Sequence, residues 1–250
     1  MSIAGLDIGS RTIALVELEG GEIIFQEVRD TTHDPLQQCL ELLEGREPQR
    51  LIATGYGRHL ARANFAHEVV TEIKAFALGC SFFFPGCRTI LDIGGQDTKA
   101  ISVAPGGGVE DFQMNDRCAA GTGKFLEVMA MALGLRLQEF GELAMMAGGS
   151  QKISSMCTVF AESEVTGLIA RNVPRDQIAR GLHEAVCDRS LALLKRVGVR
   201  QELVFAGGVA KNPCLRALLE ERLGFAPLVP PEPQIVGALG AALTAASAAG

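Results

Sequence analysis

Leu6-Asp7-Ile8-Gly9-Ser10-Arg11-Thr12 and Leu91-Asp92-Ile93-Gly94-Gly95-Gln96-Asp97 carry two copies of one turn in a chain of 250 residues. Each copy follows an apolar run and precedes a second strand-like run, residues 13–18 after the first and 99–103 after the second. A β-turn-β unit with Asp ending its first strand and Gly in the turn suits phosphate. Gly lets the backbone turn sharply and come close to a ligand. Successive N–H groups then point at an anion, and the carboxylate stands where hydrated Mg²⁺ bridges to phosphate oxygens. One Asp-x-Gly turn is common in ordinary hairpins. Two in matching contexts predict two half-domains closing on one nucleotide from opposite sides.

The pattern around the turns also repeats. The first third reads β-β-β-α-β-α, with strands over 3–8, 12–18 and 22–28 and a hairpin turn at Gly20-Gly21. Asp34-Pro35 opens a helix whose Leu36, Leu40 and Leu43 fall on one face. A buried strand over 51–54, the Gly55-Tyr56-Gly57 turn and a helix over 69–81 follow. The middle repeats the meander with strands over 89–93, 99–103 and 109–114, an internal duplication. Helices are expected over 122–133, 137–146, 161–170 and from Pro174 to about Gly198. A strand over 203–206, the turn Gly207-Gly208-Val209-Ala210, a helix over 213–224 and a short strand at Leu228-Val229 come next. An Ala- and Gly-rich helix from about Gln234 ends the chain, its small residues suited to close approach by a neighbouring element or a nucleotide. The class is α/β. The expected half-domains are 1–84, joined by the last helix over 234–250, and 85–233.

Composition narrows the function. The chain is 48% hydrophobic and carries a net charge of -6. No apolar run reaches the roughly 20 residues that cross a bilayer, and 75–84 stops at Pro85-Gly86. The first strand begins almost at once, without a basic leader, so no signal peptide or membrane is expected and the cytoplasm is the default. An acidic balance with no Trp and one Tyr argues against nucleic acid. Seven cysteines occur without a Cys-x-x-Cys pair, which excludes a zinc ribbon or a ferredoxin-type cluster within one chain. Cys80 and Cys187 read as core residues. Cys214, at a helix start, reads as packing with some reactivity. His33, His59, His67 and His183 lack metal-like spacing. Lys99 and Lys124 read as surface residues rather than phosphate ligands.

Two Asp-x-Gly turns followed by a Gly-Gly turn after a late strand resemble the acetate kinase, sugar kinase, heat-shock chaperone and actin superfamily over the whole chain. The resemblance implies a duplicated ribonuclease-H-like (actin-like ATPase) fold, with two half-domains around a nucleotide cleft. On that pattern Asp7, Gly9, Ser10, Arg11 and Thr12 form the first phosphate loop. Asp92, Gly94, Gly95, Gln96 and Asp97, through Thr98, form the second. Gly207, Gly208 and Val209 form the adenosine loop, and Gln234 joins the nucleotide site. Glu72 lies on the helix leading into the second phosphate strand, where the superfamily places a group that orients attacking water. Its plain alternative is a solvent-facing helix residue. Gln96 is a second candidate to position water.

Three segments carry a narrower resemblance: Asp92 to Asp97, Asn115 to Glu127 and Ser154 to Val165. They resemble the activator ATPases of 2-hydroxyacyl-CoA dehydratases and the ATPase subunits of benzoyl-CoA reductases. That family implies two chains, identical or homologous, sharing one [4Fe–4S] cluster with two cysteines from each. Carried over, these are Cys118 and Cys157. The residues agree. Each cysteine precedes a predicted helix in a loop rich in Gly, Thr and Ser, and a helix N-terminus stabilises thiolate. A four-thiolate site needs four cysteines, and a two-fold axis doubles each one. The plain alternative is two loop thiols or small packing residues. Gly121 and Gly123 shape the tight path into the helix and approach the nucleotide.

The resemblance implies an ATP- and Mg²⁺-dependent electron-transfer activator. Ferredoxin or flavodoxin is the donor, and an acyl-CoA dehydratase or benzoyl-CoA reductase-type enzyme is the acceptor. Two alternatives stand beside it. A sugar kinase on the same scaffold needs a sugar-binding insertion between the phosphate loops, where this chain is short. A nucleotide-dependent regulatory module hydrolyses ATP slowly and accepts no electron.

Overall fold

The computed structural model describes residues 2–155 and 157–247. Met156 and the last three positions of the expected 234–250 segment lie outside the described residues. The chain divides by contact into residues 1–90, 101–112 and 230–250, and residues 91–100 and 113–229. The division passes through three strands, so it differs from a boundary at residue 85 drawn on the repeat.

The first meander is β1 (Ser2–Ile8), β2 (Thr12–Glu19) and β3 (Glu22–Asp30). It continues through α1 (Pro35–Leu43), β4 (Arg50–Gly55), α2 (Arg58–Asn64), β5 (Glu68–Val69) and α3 (Glu72–Phe83). The sheet order is β3-β2-β1-β4-β5, with β1 antiparallel to β2 and parallel to β4. The second meander is β6 (Thr89–Ile93), β7 (Thr98–Val103) and β8 (Val109–Asn115). After α4 (Gly123–Ala132), α5 (Leu137–Met145), α6 (Thr158–Ala170) and α7 (Arg175–Val197) comes β9 (Leu203–Ala206). Its sheet runs β8-β7-β6-β9, so β9 takes the place beside β6 that β4 takes beside β1. The chain ends with α8 (Pro213–Leu223) and α9 (Val236–Ser247).

Four local expectations change. Leu40 is exposed, and α1 instead buries Gln38, Cys39 and Leu42. The helix is rotated because Gln38 spends its amide on the preceding turn, accepting from the Thr32 N–H and donating to the Asp30 carbonyl. α2 was not expected; its Arg58-His59-Leu60-Ala61-Arg62-Ala63-Asn64 sequence buries only Ala61 and shows no periodic apolar face. α6 begins at Thr158, directly after Cys157, three residues earlier than the apolar pattern indicates. Leu228 forms an isolated bridge to Val204 rather than a strand.

The small residues of α9 serve close helix packing in the first unit. Side chains added at Gly5, Gly79 and Gly240 would overlap the carbonyl oxygens of Ala238, Val236 and Ala75 respectively. α9 therefore lies backbone to backbone against both β1 and α3. In an exposed helix Gly→Ala gains about 1 kcal/mol. Gly240→Ala is expected to reverse that sign and cost about 3 kcal/mol through overpacking. Thermal denaturation of the variant measures it, and a variant as stable as the parent contradicts the packing.

In the second unit one apolar core joins β6, β9 and all the helices there through Phe125, Phe140, Leu182, Phe205 and Leu215. His183 is buried inside it, 4.4 Å from the Phe140 ring centroid. Asn212 caps α8 by accepting from the Leu215 N–H at 3.1 Å, which turns its Nδ2 toward His183 Nε2 at 3.0 Å. His183 Nε2 thus accepts, and Nδ1–H donates to the Ala179 carbonyl at 2.7 Å. Burial pushes the imidazole from the ordinary 6.5 down to about 4. A base depressed on folding contributes stability above its unfolded pKa, and that stability is lost as pH falls toward the folded value. Between pH 7 and pH 5 the loss is roughly 2 kcal/mol. Urea titrations at both pH values should show this fall in the parent and a shallower one in His183→Gln; equal slopes would contradict it.

Candidate functional site

In the first unit, Asp7 is the half-buried, penultimate residue of β1, and Thr54 is its register partner on β4. The turn beyond is closed by the Gly9 N–H donating to the Thr12 carbonyl at 2.9 Å. Thr31 fastens it from the side, donating its N–H to the Arg11 carbonyl and its hydroxyl to the Gly9 carbonyl, each at 2.9 Å. Ser10 is half-buried and Arg11 exposed at the turn. Glycines leave the room that both oxygens of the Asp7 carboxylate occupy. Gly55, at φ +84, has its open side 2.5 Å from Oδ1, and a side chain at Gly237 of α9 would overlap Oδ2. Glu72 occupies the first turn of α3 and is partly buried. It lies one turn before Phe76, whose ring also meets Gly237. Gln234 precedes α9 in the turn that ends at Val236, so the helix starts two residues later than expected.

The second unit reproduces this geometry. The Gly94 N–H donates to the Asp97 carbonyl at 3.0 Å, as Gly9 does to Thr12. Gly207, at φ +81, would meet Asp92 Oδ1 and the Ile93 carbonyl if it carried a side chain, as Gly55 would meet Asp7 and Ile8. A left-handed glycine thus stands against the aspartate in both copies because only a residue without Cβ fits there. Gly208 and Val209 follow in a short 3-10 turn, Gly208 exposed and Val209 buried. Gln96 is exposed at the tip of the turn.

Lys99 departs from expectation. It is 2% exposed rather than on the surface, and its Nζ lies 3.0 Å from Asp92 Oδ2 and 2.8 Å from Asp97 Oδ1. Asp97 therefore packs inward, while Lys124 remains half-exposed beside Glu127. An alternating strand pattern cannot reveal a lysine whose counter-charges sit at a turn.

The second turn is bonded to the helix that follows Cys118. The Gly123 and Lys124 N–H groups, in the first turn of α4, donate to the carbonyls of Gly94 and Gly95 at 2.9 and 2.8 Å. Thr98 donates its hydroxyl to the Gly121 carbonyl at 2.8 Å. A Cβ at Gly123 would lie 3.0 Å from the Gly94 oxygen and 3.3 Å from Val209, a tight fit that favours glycine at this approach. The second turn, the entry to α4 and the Gly207–Val209 turn thereby converge.

Five of the seven cysteines are buried, and Cys118 and Cys157 are exposed. Burial pushes the thiols of Cys39 and Cys187 up to about 12 and that of Cys214 up to about 11, which leaves all three inert near neutrality. Cys157 is the N-cap residue of α6, and Cys118 lies in the loop five residues before α4. α4 and α6 pack against each other. Asn115 holds the Cys118 loop by donating to the carbonyls of Cys118 and Ala120, both at 3.0 Å. Among the described residues no three His, Cys, Asp or Glu side chains gather as a metal site. The two exposed thiols thus precede two packed helices, Cys157 at the cap of α6 and Cys118 in the loop that enters α4.

Comparison with known proteins gives the family and the fold. The model of the BadF/BadG/BcrA/BcrD ATPase family matches residues 4–245. The activator of lactoyl-CoA dehydratase from Anaerotignum propionicum is 42% identical over 260 residues, covering 100% of this chain and 99% of the relative. The crystal structure of (R)-2-hydroxyglutaryl-CoA dehydratase component A from Acidaminococcus fermentans superimposes with a TM-score of 0.93 at 38% identity, covering 100% of both chains. The activator of 2-hydroxyisocaproyl-CoA dehydratase from Clostridium difficile, with bound ADPNP, gives a TM-score of 0.92 at 38% identity and covers 100% of this chain and 96% of its own. The chain belongs to the BadF/BadG/BcrA/BcrD ATPase family, has an actin-like fold and is an ATPase.

Proposed function

We propose that this ATPase uses ATP hydrolysis to deliver a low-potential electron to a 2-hydroxyacyl-CoA dehydratase or a benzoyl-CoA reductase-type enzyme. The observation that carries the reading is the pair of exposed cysteines, Cys157 capping α6 and Cys118 in the loop that leads into α4, with these two helices packed together and α4 bonded to a phosphate-type turn. Two copies of the chain, or this chain and a homologous subunit, would bring Cys118 and Cys157 twice to one [4Fe–4S] cluster. When bound, that cluster supplies a single electron at low potential.

Asp7 and Asp92 would face one Mg-ATP, with Gly9 to Thr12 and Gly94 to Asp97 as its two phosphate loops. Gly207, Gly208, Val209 and Gln234 would receive the adenosine end. Glu72, with Gln96, would orient the attacking water. Gly121 and Gly123 lie at the entry to α4, where loss of the γ-phosphate from the second loop would reach the Cys118 side. Hydrolysis does useful work only if nucleotide states favour different arrangements of those helices. Ferredoxin or flavodoxin would supply the electron. Seven free cysteines suit the reducing cytoplasm, and no described helix is long and apolar enough to cross a membrane.

The test uses anaerobically purified protein, reduced with dithionite and mixed with an inactive 2-hydroxyacyl-CoA dehydratase. Dehydration should begin only with Mg-ATP and not with a non-hydrolysable analogue. Activation without nucleotide, or none under any condition across dehydratase and reductase acceptors, overturns the proposal.

A further inference from the structure

Glu164 lies in the second turn of α6, and its carboxylate is turned back along the helix toward the loop that leads to Cys157. Oε1 accepts from the Ser154 N–H and the Ser154 hydroxyl, each at 2.9 Å, and Oε2 accepts from the Ser155 N–H at 2.9 Å. Residues 151–155 belong to no helix or strand, so these three bonds are a principal attachment of that loop to the helix. A carboxylate receiving two backbone N–H groups and a hydroxyl makes charge-assisted bonds, stronger than neutral ones. Burial works against the charged form, but the Ser154 and Ser155 donors outweigh it and hold the carboxyl below its usual range.

The two cysteine loops are therefore anchored differently. The Cys118 side is bonded to the second phosphate-type turn through Gly121, Gly123 and Lys124. Among the described residues the Cys157 side is latched to the body of its own helix through the Glu164 carboxylate, with Ile153 in the core and the Gln151 N–H on the Gln177 carbonyl further back along the loop.

We infer that Glu164 is a positioning residue for Cys157: it fixes the Ser154–Ser155 segment to α6, so that the thiol keeps its place at the helix N-terminus and moves with that helix. The inference rests on the reading of Cys157 as a cluster ligand, since only then does the thiol's placement serve function. Glu164→Gln removes the charge and leaves one of the two backbone donors without an acceptor, because an amide NH₂ cannot accept. Glu164→Ala removes all three bonds. Ser154→Ala removes only the hydroxyl bond.

The test has two readouts. In full-length protein freed of metal, the alkylation rate of Cys157 relative to Cys118 measures how firmly the loop is held, with Cys118 as the internal standard. The ratio should rise about tenfold in Glu164→Ala, less in Glu164→Gln and least in Ser154→Ala. In anaerobically purified protein, the reduced paramagnetic spectrum should broaden in the same order, while Glu41→Gln, at an exposed position of α1, leaves it unchanged. A flat alkylation series, or equal rises at both cysteines, overturns the latch. Failure of the cluster reading looks different: the unmodified protein then holds no iron, whatever the alkylation ratio does.

Discussion

Changing Cys118 or Cys157 to Ala is expected to strip the protein of iron while leaving its fold intact. Both thiols are exposed, so neither contributes to a core, and surface changes of this kind alter stability by no more than about 0.5 kcal/mol. Each change removes two of four ligands from a site shared by two chains, because the symmetry axis repeats it. Iron should fall from about four atoms per two chains to near zero in either variant. Cys80→Ala provides the contrast. That thiol is fully buried in α3, so its loss should cost stability and leave iron untouched. A Cys118 or Cys157 variant with full iron content contradicts the ligand assignment.

Lys99→Met should produce the largest loss of stability. Asp92 and Asp97 are 1% and 7% exposed, and Lys99 lies between them within 3.0 Å of each. Removing the cation leaves two buried carboxylates close together, and breaking a buried pair this way costs about 3–5 kcal/mol. For a chain of this length the unfolding temperature should fall by roughly 10 °C. Adding Asp97→Asn to Lys99→Met should return part of the loss, since it removes one of the two stranded charges. Calorimetry of both variants decides the matter. If Lys99→Met is as stable as the parent, or the double variant is weaker still, the electrostatic account of this turn is wrong.

The meanders, the two Asp-containing turns and most helices were legible because strand alternation, Gly in the turns and Asp-Pro or Asn-Pro helix starts are local signals. The actin-like class and the family followed from the same residues. What escaped the sequence depends on distant partners. Lys99 reads as a surface strand residue until the turn brings Asp97 back over it. Gln38 takes α1 off its apolar face through bonds to residues six and eight positions earlier. Glu164 sits in a motif that drew attention for its cysteine, yet its partners are backbone groups nine and ten residues back, which no side-chain pattern encodes. The small residues of α9 suggested close approach by a neighbouring element or a nucleotide, and the structure shows the backbone of β1 and α3 packed against that helix.

The most direct test is the paramagnetic resonance spectrum of the anaerobically purified, dithionite-reduced protein, recorded with and without Mg-ATP alongside its iron and sulfide content. The account predicts about one reduced cluster per two chains and a spectrum whose line shape changes when nucleotide binds. Iron-free protein that still hydrolyses ATP, or a cluster spectrum indifferent to Mg-ATP, would contradict it.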